Sequence, residues 1–145
     1  EEVPTMLDYK VQVAGRSMHN TPPCWGIYMT GLMLDWILRE GGVEEMARRN
    51  NEKSGLLYEF LDNSTFYTPT ARPQDRSNMN ITFTLPYEAL SDLFAKGAAA
   101  RGLINLKGHR LVGGIRANVY NAMPIEGVRA LLAYMKDFEM EHRMP

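Results

Sequence analysis

The 145-residue sequence predicts an α+β fold: a mostly antiparallel sheet with helices on one face, preceded by a long apolar helix. Three observations carry that expectation. Met79, Ile81, Phe83 and Leu85 alternate with Asn80, Thr82 and Thr84, the period of a half-buried strand. Near the end of the chain, Val128, Leu131, Leu132, Met135 and Phe138 recur at helical spacing. Helical and strand-like runs also follow one another in mixed order, the pattern of helices collected on one side of an antiparallel sheet.

The elements are expected as follows. Residues 1–21 have no sustained period and read as a connector, with Met6, Leu7, Tyr9, Val11 and Val13 free to lie against other structure. Thr21-Pro22-Pro23 makes a helix start, because Thr can accept from a free N–H and proline fits the first turn. That helix runs to about Glu40 and stops at Gly41-Gly42. It is apolar on nearly all sides, from Trp25, Ile27 and Tyr28 to Trp36, Ile37 and Leu38, so it is expected to be buried from several directions or to span two domains. A second helix, Val43 to Leu61, turns Met46, Leu57, Phe60 and Leu61 inward and Glu44, Arg48, Arg49, Glu52 and Lys53 outward. Phe66–Thr68 reads as a short strand before a loop from Pro69 to Ser77, where Asp75 and Arg76 are expected to pair. After the strand at 79–85, a helix from Tyr87 to Arg101 ends at Gly102. Strands are expected at Leu103–Leu106 and Ile115–Tyr120, and a final helix opens at Pro124.

Composition excludes several classes. Sixteen Lys and Arg against 17 Asp and Glu leave a net charge of −1, without the basic surplus that nucleic acid or an anionic membrane surface attracts. The apolar run Cys24–Leu38 is interrupted by Thr30 and Asp35 and is too short for a bilayer. The single Cys24 rules out an internal disulfide, is expected to pack as a small apolar residue, and points to a reducing, cytoplasmic setting. His19, His109 and His142 are far apart, so no metal site is expected.

Three polar places suit anions. Asn20-Thr21 stands at the start of the long helix, where free N–H groups and the helix dipole favour a phosphate; simple capping of the helix is the alternative. Lys107-Gly108-His109-Arg110, followed by Gly113-Gly114, places three basic residues in a glycine-flanked turn that would either grip an anion or stand exposed. Arg116 shares one strand face with Asn118 and Tyr120 and could bind a carboxylate in bidentate fashion or lie solvated.

These same residues carry a family resemblance. Asn20-Thr21-Pro22-Pro23, Asn80-Ile81-Thr82-Phe83, Tyr120-Asn121-Ala122-Met123-Pro124 and above all the run from Leu106 to Ala117 (LKGHRLVGGIRA) resemble the phosphoserine aminotransferases. Asp62-Asn63-Ser64 also matches, and the likeness covers essentially the whole chain. The family usually has Ser at Leu111 and a small residue at Asn118; neither departure touches the basic positions.

The resemblance implies the small C-terminal domain of a fold-type I pyridoxal 5'-phosphate enzyme. Residues 1–22 would be the tail of a larger cofactor-binding domain, and 23–145 the small domain with its connecting helix. Such enzymes are homodimers that exchange an amino group between glutamate and 3-phosphohydroxypyruvate in serine biosynthesis. By the same resemblance, Asn20 and Thr21 would reach the cofactor phosphate of the neighbouring subunit. Arg116 would hold the substrate α-carboxylate, and His109 and Arg110 its phosphate or distal acid group. The cofactor lysine would belong to the larger domain before residue 1, so this chain is expected to be inactive alone. The alternative is a non-catalytic anion-binding or dimerisation module derived from that family.

Overall fold

Apolar residues at every second position of one strand, and at every third or fourth position of three helices, have one efficient way to leave water together: a sheet covered on one face. The computed structural model, which describes residues 3–143, takes that course. Its elements are helices α1 (Tyr9–Ala14), α2 (Cys24–Arg39) and α3 (Gly42–Asp62), strands β1 (Thr68–Pro69) and β2 (Asn80–Thr84), helix α4 (Glu88–Ala100), strands β3 (Lys107–His109) and β4 (Gly113–Asn118), and helix α5 (Ile125–His142). The chain divides into two compact units, Glu1–Val43 and Glu44–Pro145.

In the second unit the strands form one antiparallel sheet in the order β1-β2-β4-β3. Ile81 and Phe83 of β2, with Ile115 and Ala117 of β4, turn into a core completed by Leu57 and Leu61 of α3, Phe94 and Ala98 of α4, and Val128, Leu131, Met135 and Phe138 of α5. The expected α+β architecture is therefore present, with the helices on one sheet face. Aromatic rings knit the core centre: Phe94 lies 6.0 Å from Phe83, 4.8 Å from Tyr134 and 5.1 Å from Phe138, centroid to centroid. The opposite face stays polar and half-exposed. There the register sets Thr82 against Arg116 and Asn80 against Asn118.

Several local expectations are corrected. Strand pairing begins at Thr68; Phe66 and Tyr67 are buried in the core instead, because rings of that size gain more from burial than an edge strand can offer. Residues 103–106 form no strand; the segment that pairs with β4 is Lys107–His109, opposite Ile115 and Gly113. Gly113 and Gly114 have φ of 75° and 66°, a left-handed stretch that lets β4 leave the turn so soon after β3. Arg76 pairs with Asp62 rather than Asp75, which pairs with Arg72, and its guanidinium also lies 4.5 Å from the Tyr58 ring centre.

Lys53, expected outward, is 2% exposed. Its Nζ donates to the carbonyls of Val119 (3.1 Å), Tyr120 (2.6 Å) and Met123 (3.1 Å). An ammonium has three donors and no acceptor, so three carbonyl dipoles satisfy the buried charge completely. Burial holds its pKa below the usual lysine value, with Arg49 adding to the effect.

In the first unit, the expected connector contains a 3-10 turn at Thr5–Leu7 and the short α1, which Asp8 caps by accepting from the Lys10 N–H. Helix α2 begins at Cys24 with Pro23 as its N-cap and no side-chain cap, so Thr21 does not cap it. Gly41 and Gly42, at φ of 107° and 81°, mark the break before α3 as expected. None of the 16 residues of α2 is buried in this structure, so burial from several directions, one of the two expectations for it, is not met here; Trp25 is 74% and Tyr28 59% exposed. Cys24 is exposed too, its Sγ donating to the Pro22 carbonyl, a local bond that takes the place of packing. Among the described residues, no helix is long and apolar enough to cross a membrane, and no cluster of side chains could hold a metal ion.

Candidate functional site

The site is built on β4 and the hairpin that feeds it. Alternation along β4 sends Ile115 and Ala117 into the core and Arg116 and Asn118 to the polar face. Arg116 is half-buried, and its Nε is sealed from solvent without an acceptor. Arg76 and Arg101 are tied to Asp62 and Asp137, whereas the Arg116 side chain makes no ion pair or hydrogen bond among the described residues. A planar guanidinium without a carboxylate partner, beside Thr82 and Asn118, is a ready receptor for an anionic group.

At the end of the sheet, the turn between β3 and β4 closes with the Val112 N–H donating to the His109 carbonyl at 2.9 Å. The Leu111 N–H donates to His109 Nδ1 at 3.2 Å. Nδ1 is therefore an acceptor, so the neutral ring carries its proton on Nε2 and presents a donor there. Arg110, in the turn itself, is exposed and has no side-chain partner among the described residues. Lys107 differs: its Nζ lies 2.7 Å from Asp92, which it holds below the usual carboxylate pKa by hydrogen bonding and charge. Among the described residues, the basic turn thus leaves two of its three basic side chains, His109 and Arg110, without an acidic partner.

His109, Arg110 and Arg116 consequently sit on one hairpin. The register places His109 opposite Gly113, three residues along β4 from Arg116. That odd spacing means the pleat alone does not set the two on one face. Asn20 and Thr21 belong to the first unit and lie exposed in the loop before α2. Among the described residues Asn20 Nδ2 donates only to the Met6 sulfur, at 3.2 Å, and Thr21 does not cap the helix.

Sequence reasoning missed the tie formed by Lys53, Asn50 and Asn121, in which Asn50 Nδ2 donates to Asn121 Oδ1 at 2.7 Å. A signal was available. Met46, Asn50, Lys53, Leu57 and Leu61 follow one another at helical spacing, so Lys53 lies on the buried stripe of its helix despite its charge.

Residues 2–131 match the family model described as Aminotransferase class-V. The chain belongs to the class-V aminotransferase family. It is 51% identical over 140 residues to a phosphoserine aminotransferase of Bacillus cereus, covering 97% of this chain and 39% of that protein. The solved phosphoserine aminotransferase of Bacillus circulans subsp. alkalophilus superposes with a TM-score of 0.86 at 44% identity, over 96% of this chain and 39% of that one. The PLP-bound phosphoserine aminotransferase of Trichomonas vaginalis gives a TM-score of 0.81 at 37% identity, over 92% of this chain and 39% of that one. The chain thus spans about 39% of the length of the curated relatives it matches. In this class-V aminotransferase chain, the fold and family expected from the motifs are both present.

Proposed function

We propose that this chain is the C-terminal part of a pyridoxal phosphate-dependent phosphoserine aminotransferase, exchanging an amino group between glutamate and 3-phosphohydroxypyruvate in serine biosynthesis. The observation that carries the reading is Arg116: a guanidinium held on a sheet, with its Nε sealed and no acidic partner among the described residues. In this role Arg116 binds the substrate α-carboxylate through parallel N–H bonds. His109 Nε2–H and Arg110 hold the phosphate or distal acid group from the turn. Lys107 is already paired and contributes charge at a distance only.

The residues at the start of α2 fit the cofactor's phosphate. Asn20 and Thr21 supply an amide and a hydroxyl donor, and neither is spent on capping the helix. When bound, pyridoxal phosphate supplies the electron sink for amino-group exchange. The reacting amine would come from outside these 145 residues. Of the lysines present, Lys53 is buried under three carbonyls and Lys107 is paired with Asp92; Lys10, Lys96 and Lys136 are exposed on helices. A homodimer with sites at the subunit interface, in the cytoplasm, completes the reading. The exposed Trp25 and Tyr28 of α2 favour a part of such an enzyme over a free-standing module, because an apolar helix face is stabilised only when something covers it.

Titration of the ¹⁵N-labelled chain with O-phosphoserine tests this. Shifts should centre on His109, Arg110 and Arg116, disappear in Arg116→Ala, and have no counterpart with a DNA oligonucleotide. Amino transfer by the purified chain alone, supplied with cofactor, glutamate and the keto acid, would overturn the assignment of the reacting lysine to another segment.

A further inference from the structure

The motif Tyr120-Asn121-Ala122-Met123-Pro124 is outside the residues assigned to substrate, yet several half-buried polar contacts converge on it. It joins the exit of β4 to α5, whose N-cap is Pro124. Two of its backbone carbonyls, with that of Val119, surround Lys53 Nζ, and Asn121 accepts from Asn50. From the other side, the Val119 N–H donates to the Met79 carbonyl at 2.8 Å. The Tyr120 hydroxyl reaches back over the polar sheet face, where its single proton is shared between Asn80 Oδ1 at 3.2 Å and Asn118 Oδ1 at 3.4 Å. Asn118 is the next residue after Arg116 on that face.

This arrangement matters because Arg116 has no tether of its own. Arg76 and Arg101 are aimed by carboxylates. Among the described residues, no hydrogen bond or ion pair directs the Arg116 side chain, which leaves the β4 backbone and its neighbours on the polar face to do so. Whatever fixes the strand exit therefore fixes the backbone direction from which the Arg116 side chain leaves the sheet. We propose that Lys53 is a positioning residue for the anion site at Arg116, acting through the 119–123 turn and the hydroxyl of Tyr120. A buried cation suits the task. Three charge-assisted bonds to three different carbonyls define the turn more tightly than apolar contact, which is non-directional. The inference rests on the reading of Arg116 as a carboxylate receptor.

The test uses the ¹⁵N-labelled 145-residue chain, Lys53→Met and Tyr120→Phe, with O-phosphoserine as the probe. Loss of the Tyr120 hydroxyl should weaken binding about threefold to tenfold, and loss of the Lys53 ammonium by about tenfold or more. A second readout is the hydrogen-exchange rate of the Arg116 Nε–H, taken relative to the Phe94 amide. It should rise in both variants, whereas general destabilisation would raise the two rates together. Unchanged affinity and an unchanged rate ratio in both variants would overturn the proposal. If the wild-type chain does not bind the probe, the carboxylate reading of Arg116 fails, and the rate ratio alone decides whether Lys53 positions it. If Lys53→Met does not fold, Tyr120→Phe decides both measurements, since Tyr120 is 53% exposed and its ring is not part of the core.

Discussion

Replacing Arg116 by Met should make the chain more stable while removing its affinity for carboxylates. The Nε of Arg116 is out of contact with water and has no acceptor. A buried donor left without a partner costs about 1–3 kcal/mol. Arg116 is only half-buried, so the low end applies, about 1 kcal/mol in all. Met keeps most of the aliphatic stem, so the packing that the side chain supplies is largely retained. For a unit of this size, about 1 kcal/mol corresponds to a rise of about 4–8 °C in Tm. The assay is urea and thermal unfolding, followed by far-UV circular dichroism and by the amide signals of β2 and β4, with and without O-phosphoserine. Wild type should be stabilised by the ligand through linkage, and the variant should not respond. A variant destabilised by about 1 kcal/mol or more would refute the reasoning, because it would make Arg116 a structural tie like Arg76 rather than a receptor kept open.

Three other outcomes are expected. Phe94→Ala removes a fully buried ring in contact with four other aromatic residues, and should cost about 3–5 kcal/mol in denaturant unfolding, much of the stability of a domain this size. Gly108→Ala would place a Cβ 2.0 Å from the Gly113 carbonyl oxygen, so β3 should separate from β4; amide exchange should rise at 107–115 and O-phosphoserine shifts at His109 and Arg110 should be lost. Stability should also fall in acid. Hydrogen bonds from Arg48 and Arg49 hold Glu45 from 4.5 down to about 2, and Arg76 and Lys107 lower Asp62 and Asp92 in the same way. A folded-state pKa below the unfolded value stabilises above the unfolded pKa and loses that contribution as pH falls through the folded one. Thermal melts from neutral pH to about pH 2 should therefore decline below about pH 4.5, less steeply in high salt because these carboxylates are exposed. A flat profile would show that the pairs do not form in solution.

Periodicity and turn chemistry made much of this protein readable in advance. The alternation from Met79 to Leu85, the stripe along α5 and the Gly113-Gly114 break are local properties, and each element forms where its own residues ask for it. Arg116 was legible for the same reason, since alternation along a strand assigns faces without reference to any partner. The family was legible because Leu106–Ala117 joins chemistry and turn geometry in one continuous run.

What the sequence left open depended on neighbours distant in the chain. The charge of Lys53 suggests solvent, and only the arrival of three carbonyls from residues 119–123 makes its burial stable. Phe66 and Tyr67 suit a strand locally, yet a core assembled from five other elements claims them. Arg76 has Asp75 beside it and pairs instead with Asp62, which α3 brings close. The fold class and the choice of Arg116, His109 and Arg110 as candidates for binding an anion follow from short-range patterns that each segment carries by itself. Which cations are spent on internal partners is a matter of long-range contact, and the tertiary structure alone decides it.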